Sequence, residues 1–290
     1  MGVNKQTKTI TMFLMEGVPN HRLYCELANW NGRMYRIPRG ELLKTETDEN
    51  HKEFFDENGA VYILLGKDDI SGKTLAYIGE TDNAKGRLSN HLANKPWWNE
   101  VIVLIRTNKE GLDKAQVRYL EQVFYDTAEV VDRCKLMNAS HPGGATLSES
   151  RQSEMEEFIQ NAKILMRAVG IKILEPVAIR TETYQDKSVD TPYYYMKAKD
   201  AEACGQPTAD GFVVLKDSKI TSGEPNSSTP EGYKNLRKTL IEEGVIKDCI
   251  FAKDYLFNSS SAAASVVAGS SKSGNKCWKN SNGELLEKLK

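Results

Sequence analysis

The feature that most constrains the fold is a pair of apolar segments followed by a helix, within residues 60–92. Residues 60–65 (AVYILL) are apolar without interruption, which predicts a strand buried on both faces. The loop KDDISGK separates this strand from a second one, TLAYIG at residues 74–79, so the two predict a β-hairpin. Asp82 and Asn83 then supply side chains that can cap the helix that follows. A hairpin that leads directly into a helix predicts an α+β fold.

Further strands and helices are predicted on both sides of this hairpin. Residues 9–15 and 22–28 alternate enough to predict strands, and the pair Asn31-Gly32 is a strong hairpin signal. The charged residues 44–58 predict a helix or a loop. After the hairpin we expect a third strand and two helices, at residues 101–106, at about 111–128, and from Ser148 to Gly170.

A second small α+β unit is predicted after a polar linker at residues 180–192. It contains the predicted strands GFVVL and CIFAKDYLF and the predicted helix GYKNLRKTLIEEG. The segment SSSAAASVVAG predicts another helix, with serine at its start and Gly269 at its end. The predicted organisation is an N-terminal β extension at 1–58, a central domain at 59–140, a helix and linker at 141–192, and a separate C-terminal domain at 193–290.

Composition excludes several classes of protein. The 290 residues contain no apolar run of the roughly 18 residues that a membrane helix needs. The 5 cysteines are scattered and never spaced as CxxC, which argues against a disulfide framework and against a structural zinc site, and favours a reducing cytoplasm. The net charge is −1, so any contact with nucleic acid must come from local placement of charge. We therefore expect a cytoplasmic protein without a membrane partner.

Four types of side chain in the central segment suit hydrolysis of phosphodiester bonds. Arg87 and His91 are four residues apart and share one face of the predicted helix, while Tyr62 and Tyr77 lie on the two strands of the hairpin. Glu121 lies in RYLEQVF, where a carboxylate on an apolar surface needs a cation, a donor or a proton. The glutamate can hold a metal, the arginine can offset negative charge, and a tyrosine or histidine can handle the proton. Taken singly, each of these residues is ordinary in a core or on a surface.

The order of these residues carries a resemblance. The segments AVYILL, AYIGETDNAKGRLSNHL, YLEQ and MN, within residues 60–138, resemble the GIY-YIG nuclease domain, with Ala60-Val61-Tyr62 and Tyr77-Ile78-Gly79 as the two signature tripeptides. The resemblance implies a three-stranded antiparallel sheet flanked by helices and metal-dependent cleavage of DNA. It implies one divalent ion, Mg²⁺ or Mn²⁺, held by Glu121. It also implies five catalytic residues: Tyr62, Tyr77, Arg87, His91 and Asn138.

Glu80 is a departure from the family pattern, because some relatives carry a lysine directly after the second tripeptide. A carboxylate would not lower the pKa of a neighbouring tyrosine as a lysine can. The general base therefore stays open among Tyr62, Tyr77 and His91. The flanking segments are similar to a bacterial subgroup of these proteins that carries an N-terminal β extension and a small C-terminal domain of unknown function.

Three arginines on the N-terminal hairpin, Arg33, Arg36 and Arg39, lie beside Trp30 and Tyr35. They predict a nucleic-acid contact made by phosphate pairing and base stacking, and an ordinary solvated edge strand is the other interpretation. For the whole protein we expect a DNA endonuclease. The alternative is a DNA-binding or sensing protein whose nuclease fold is catalytically weakened, and an RNA target is not excluded.

Overall fold

The computed structural model describes residues 7–46, 48–51, 55, 58–69, 72–178, 192–227 and 229–286. The chain divides into two compact units, residues 1–175 and residues 176–290. The predicted segments 1–58, 59–140 and most of 141–192 therefore lie in the first unit. The predicted linker, 180–192, falls outside the described residues except for its last position. No helix within the described ranges has both the length and the apolar character needed to cross a lipid bilayer.

The first unit is built on one sheet, in which seven strands are described. They are β1 (Ile10–Leu14), β2 (Leu23–Leu27), β3 (Gly32–Pro38), β4 (Ala60–Lys67), β5 (Thr74–Thr81), β6 (Trp98–Arg106) and β7 (Lys135–Leu136). Their order is β1-β2-β3-β6-β4-β5-β7, and neighbours are antiparallel except β5 and β7. The strand β4 lies between β5 and β6, and β4 and β5 form the predicted hairpin. The sheet is larger than the three strands that the resemblance implies, because β3 pairs with β6 along its whole length and brings β1 and β2 with it.

The first unit also contains four described α-helices: α1 (Leu42–Glu46), α2 (Ala84–Asn94), α3 (Lys114–Val131) and α4 (Glu149–Ala168). Asn83 caps α2, since its Oδ1 accepts from the backbone N–H of Gly86 at 2.7 Å. Helix α3 begins at residue 114 rather than 111, because Asp113 and Gln116 form a reciprocal capping box there. Part of the predicted helix or loop at 44–58 forms α1, and several other positions of that segment lie outside the described residues.

The two faces of the sheet carry separate apolar cores. On β4 the odd-numbered positions face one core and the even-numbered positions face the other, because successive side chains of a strand alternate. Helices α3 and α4 cover the first face, and α1 and α2 cover the second. The prediction that residues 60–65 are buried on both faces is confirmed. Tyr62 consequently points to the face that α2 covers.

The hairpin between β2 and β3 is confirmed, but its turn lies earlier than predicted. Asn29 adopts the left-handed conformation (φ +61°) between the two strands, and Gly32 is already the first residue of β3. Gly32 is needed for a different reason, because a Cβ there would lie 2.0 Å from the indole of Trp30. The absence of a side chain at Gly32 therefore leaves room for the packed ring of Trp30.

The second unit is a smaller α+β unit with a sheet of its own. Its described strands are β8 (Tyr194–Ala198), β9 (Ala201–Thr208), β10 (Gly211–Val214), β11 (Ile246–Lys247), β12 (Ile250–Phe251) and β13 (Tyr255–Phe257). The order β13-β10-β9-β8 forms one sheet, and β11 pairs with β12. The helices are α5 (Glu231–Glu242), α6 (Ser260–Ala268) and α7 (Gly274–Cys277). The segment CIFAKDYLF, predicted as one strand, is split between β12 and β13.

Helix α6 confirms the interpretation of the small-residue segment. Ser259 caps it by accepting from the backbone N–H of Ala262 at 3.1 Å, and it ends at Gly269 in the left-handed conformation. Most of its residues are buried, so small side chains let neighbouring elements approach closely. The second unit thus has an apolar core that is separate from those of the first.

Candidate active site

The candidate site is built around the pairing of Tyr62 with Gly79. These residues are cross-strand partners on β4 and β5. The tyrosine ring lies over the glycine so closely that a Cβ at position 79 would be 2.4 Å from the hydroxyl oxygen and 2.5 Å from Cζ. The glycine of the second tripeptide is therefore needed for space. It lets the buried Tyr62 side chain cross β5 and reach α2.

The Tyr62 hydroxyl connects the sheet to two side chains of α2. Arg87 Nε donates a hydrogen bond to Tyr62 Oη at 3.1 Å, and His91 Nε2 lies 2.8 Å from the same oxygen. Arg87 uses only one lone pair of the Tyr62 oxygen. The hydroxyl hydrogen of Tyr62 can therefore be donated to His91. The predicted sharing of one helix face by Arg87 and His91 thus brings both to a single tyrosine oxygen.

Tyr77 lies beside this group and is partly exposed. Its ring stacks on Tyr62 with centroids 6.2 Å apart and meets the His91 ring edge-on at 5.1 Å. Tyr77 also raises the pKa of both Tyr62 and Arg87, so its hydroxyl lies within electrostatic reach of these two residues. The ammonium of Lys95 lies 4.4 Å from the centre of the Tyr77 ring, which is a cation–π contact. The four residues predicted from β4, β5 and α2 are therefore in direct contact.

Burial controls the protonation of this group. It raises the pKa of Tyr62 above its ordinary value, and the neighbouring Tyr77 acts in the same direction, while the hydrogen bond and charge of Arg87 oppose it. Burial, together with the charges of Arg87 and Lys95, lowers the pKa of His91 to about 4. His91 is therefore neutral at pH 7, and in the tautomer with an unprotonated Nε2 it can accept a hydrogen bond from the Tyr62 hydroxyl. The hydrogen bond and the charge of Tyr62 raise the pKa of Arg87.

Glu121 lies on α3, partly buried, and close to the second half of β5. Burial raises the pKa of its carboxyl group, and the nearby carboxylate of Glu80 raises it further. A hydrogen bond from the backbone of Glu80 and the charges of Arg87 and Arg118 act in the opposite direction. Glu121 is thus within electrostatic reach of Arg87. A cation next to the Glu121 carboxylate would stabilise its charged form.

Glu80, the departure from the family pattern, is paired with a lysine from another element. Lys114, the first residue of α3, places its ammonium 2.9 Å from Glu80 Oε2 and 3.0 Å from Asp82 Oδ2. The hydrogen bond to Glu80, followed by that to Asp82, raises the pKa of Lys114. The lysine side chain is half exposed, so this pair adds roughly 0–1 kcal/mol to stability. It does bring a positive charge to the residue that follows the second tripeptide.

Asn138 holds the middle residue of the second tripeptide. Its Oδ1 accepts from the backbone N–H of Ile78 at 3.1 Å, and its Nδ2 donates to the Ile78 carbonyl at 2.7 Å. The side chain contacts β5 two residues beyond the last parallel pair of β7 and β5, Ala76 with Leu136. Asn138 therefore fixes the backbone between Tyr77 and Gly79, which is a positioning contact.

The three arginines predicted to contact nucleic acid all have partners within the fold. Arg33 pairs with Glu26 at 2.7 Å, and Arg36 pairs with Glu100 at 2.5 Å. Arg39 donates to the carbonyls of Leu92 and Lys95 at the end of α2 and stacks on Trp98, 4.4 Å from the ring centre. These contacts favour a structural role for the three side chains. A nucleic-acid contact at these positions stays a prediction.

Sequence reasoning missed Lys95 and Lys114, and it identified Gly79 only as part of the second tripeptide. The role of Gly79 depends on which side chain crosses β5, and only the strand register shows that. Lys95 lies four residues after His91, so the helical spacing that linked Arg87 to His91 was an available signal. Lys114 had no such signal, because it reaches Glu80 from 34 residues away.

Comparison with known proteins identifies part of the chain. Residues 194–290 match the model of a family described as Domain of unknown function (DUF4357). This confirms the part of the resemblance that concerned a C-terminal domain of unknown function. No GIY-YIG family model matches the chain. No curated protein and no solved structure matches it.

Proposed function

We propose that the first unit is a metal-dependent endonuclease that hydrolyses DNA phosphodiester bonds. The observation that carries the proposal is the hydrogen-bonded group of Tyr62, Arg87 and His91, with the Tyr77 ring packed against it and Glu121 within electrostatic reach. The group combines a cation, a proton acceptor that is neutral at pH 7, two phenol hydroxyls and a carboxylate. Few reactions use all of these together, and phosphodiester hydrolysis is one of them.

Glu121 fits the single divalent ion, Mg²⁺ or Mn²⁺, that the resemblance implies. Burial and Glu80 disfavour the charged carboxylate in the metal-free protein, and a bound cation would remove that penalty. One protein carboxylate is enough for Mg²⁺, which usually keeps several waters and takes further oxygens from a substrate phosphate. When bound, such an ion polarises the phosphate and offsets its charge. Glu121 would hold it.

The protein groups can carry the proton of the attacking water inward from the surface. Tyr62 has no exposed surface and Tyr77 is partly exposed, so water reaches Tyr77 first. In the proposed relay Tyr77 takes the proton from water while its own proton passes to Tyr62, and the Tyr62 proton passes to His91 Nε2. Neutral His91 is the final acceptor, because its imidazole is unprotonated at pH 7; the lowered pKa also makes it a weak base, so the charges of Arg87 and the bound ion on the phosphate must drive the transfer. Arg87 stabilises the phenol oxygens and the phosphate by its charge.

The second unit is proposed to target the nuclease to its substrate. All 4 histidines of the chain, His21, His51, His91 and His141, lie outside residues 193–290. The second unit has its own apolar core, so it has the means to fold alone. Expression of residues 193–290 should give one cooperative unfolding transition. A fragment that stays unfolded would show that the domain boundary is wrong.

Cleavage of plasmid and branched DNA with Mg²⁺, Mn²⁺ or a chelator tests the proposal. The decisive variant is Glu121→Gln, which keeps the shape of the side chain and removes its charge. Glu129→Gln is the matched control, because Glu129 is exposed on the same helix. We expect Glu121→Gln to abolish cleavage, to keep the fold and to bind DNA as well as or better than wild type. Glu129→Gln should cleave normally.

Two experimental outcomes would contradict the proposed function. Cleavage by Glu121→Gln at a rate comparable to wild type would show that Glu121 is not the ligand. DNA binding by the wild type without cleavage in any metal would support the alternative, a DNA-binding or sensing protein with a weakened nuclease fold. Parallel assays with RNA decide between the two nucleic acids.

A further inference from the structure

A second cluster of potential metal ligands lies in the first unit and shares no residue with the group around Tyr62. Glu16 and His21 lie in the turn between β1 and β2, and Glu41 ends the short 3₁₀ helix Arg39–Glu41 that follows β3. One donor atom from each residue lies within 4.8 Å of the other two. His21 Nδ1 hydrogen-bonds to Glu41 Oε1. The turn and the 3₁₀ helix therefore meet through one imidazole and two carboxylates.

Two carboxylate oxygens of this cluster are buried without a hydrogen bond. They are Glu16 Oε2 and Glu41 Oε2, and neither has a partner among the described residues. Glu41 as a whole is only 9% exposed. A buried carboxylate oxygen without a donor or a cation is costly, because it has lost its hydration. Two such oxygens in one cluster point to a ligand that binds both.

The positively charged side chains near the cluster contact the Oε1 atoms of Glu16 and Glu41, not the Oε2 atoms. Arg22 Nε donates to Glu16 Oε1 at 2.7 Å, and the same guanidinium pairs with Asp48 at 3.4 Å. Lys44 reaches Glu41 Oε1 at 3.5 Å from an exposed position. Both contacts with the cluster go to the Oε1 atoms. The two Oε2 atoms remain available to an ion.

We propose that Glu16, His21 and Glu41 bind a divalent first-row transition metal of the Zn²⁺ type. An imidazole nitrogen with two carboxylate oxygens suits Zn²⁺, which commonly takes three protein ligands and a water, whereas Mg²⁺ and Ca²⁺ favour all-oxygen sets. Binding would exchange the contact between His21 and Glu41 for two bonds to the metal. It would also supply a partner for the orphan oxygens.

The metal would act on the fold next to the proposed nuclease site. Arg39 begins the 3₁₀ helix that Glu41 ends, and it donates to the carbonyls of Leu92 and Lys95 at the end of α2. Helix α2 carries Arg87 and His91. An ion that joins the β1–β2 turn to the 3₁₀ helix would therefore hold the segment that anchors α2. The expected role is structural.

Calorimetric titration of Zn²⁺ into the full-length protein, stripped of metal, tests this site. His21→Gln and Glu41→Gln remove one ligand each, while Glu121→Gln and His141→Gln serve as controls. His141 matters as a control because it pairs with Asp126 on the surface and could bind Zn²⁺ adventitiously. We expect the first two variants to lose at least about tenfold in affinity, since even indirect contacts with a metal are worth that much. Both controls should keep the wild-type site, and millimolar Mg²⁺ should not displace Zn²⁺.

Thermal unfolding separates loss of the site from loss of the fold. Zn²⁺ should raise the unfolding temperature of the wild type and of both controls, and not that of His21→Gln. The imidazole is partly exposed, so this variant should fold without metal. The proposal is overturned if the wild type binds no Zn²⁺, if His21→Gln and Glu41→Gln bind it as tightly as wild type, or if only Glu121→Gln or only His141→Gln loses binding.

Discussion

The ring of Tyr62 covers the backbone of Gly79, its cross-strand partner, so closely that no side chain fits at position 79. This relationship joins the two signature tripeptides in space. The glycine gives the tyrosine a path across β5, and the tyrosine then reaches Arg87 and His91 on α2. Each tripeptide therefore depends on the other.

Gly79→Ala should disrupt the site. The new Cβ would lie 2.4 Å from Tyr62 Oη, so the buried ring must move away from Arg87 and His91. We expect a loss of about 1–3 kcal/mol in the free energy of unfolding, as is typical of overpacking, and a loss of cleavage. Gly86→Ala on α2 is the control, because its Cβ would approach no atom more closely than 3.4 Å, the distance to Asn83 Oδ1. Chemical denaturation of both variants checks this. Equal stability of the two variants would contradict the close approach.

His91 should titrate well below the ordinary histidine pKa. Burial and the charges of Arg87 and Lys95 lower its pKa from 6.5 to about 4, while the hydrogen bond to Asp126 raises that of His141. NMR titration of the imidazole signals should therefore show the two histidines shifted in opposite directions. Lys95→Met should move the His91 pKa upward, because it removes one of the charges that depress it. A His91 pKa near 6.5 would show that burial and the charges of Arg87 and Lys95 do not disfavour the imidazolium.

The lowered pKa of His91 makes the free energy of unfolding depend on pH between about 4 and 6.5. Because the folded-state pKa lies below the unfolded one, the unfolded chain binds the proton first as the pH falls. The contribution of neutral His91 is present above pH 6.5 and is lost progressively as the pH falls toward about 4. It amounts to at most about 3 kcal/mol. Urea unfolding of wild type and His91→Gln across this range should show a weaker pH dependence for the variant.

Arg87→Lys should lose at least about 100-fold in cleavage rate, as expected for a group that stabilises charge in the transition state. Arg87 Nε donates to Tyr62 Oη while the rest of the planar guanidinium remains for other oxygens, and an ammonium cannot do both. Arg167→Lys, in the ion pair with Glu175, is the matched control and should cleave normally. The measurement is single-turnover cleavage at one salt concentration. Wild-type rates from the Arg87 variant would exclude this role.

Arg39→Gln should affect stability more than DNA binding. The substitution removes the donors to the Leu92 and Lys95 carbonyls and the stacking on Trp98, so we expect a cost of about 1–2 kcal/mol. The salt dependence of DNA affinity should stay the same, since no phosphate contact is lost. Urea unfolding and DNA binding at several salt concentrations check both statements. A salt slope reduced by about one ion would instead support the predicted nucleic-acid contact.

Periodicity and spacing in the sequence predicted the local elements of the fold. The uninterrupted apolar run in β4, the capping residue Asn83 and the small residues of α6 each act through neighbours a few positions away. Local signals of this kind can be read from the chain directly. The helical spacing of Arg87 and His91 predicted in the same way that they share a face.

Tertiary structure alone decided which of these elements meet. The pairing of β3 with β6 turned an N-terminal extension into part of a seven-stranded sheet. The register of β4 against β5 placed Tyr62 over Gly79, Lys114 reached Glu80 from another helix, and Arg39 was drawn to the end of α2. These contacts depend on long-range packing, in which a shift of one residue in a strand sends every side chain to the other face. The sequence determined which chemical groups are present, and the packing of sheet and helices decided which of them are neighbours.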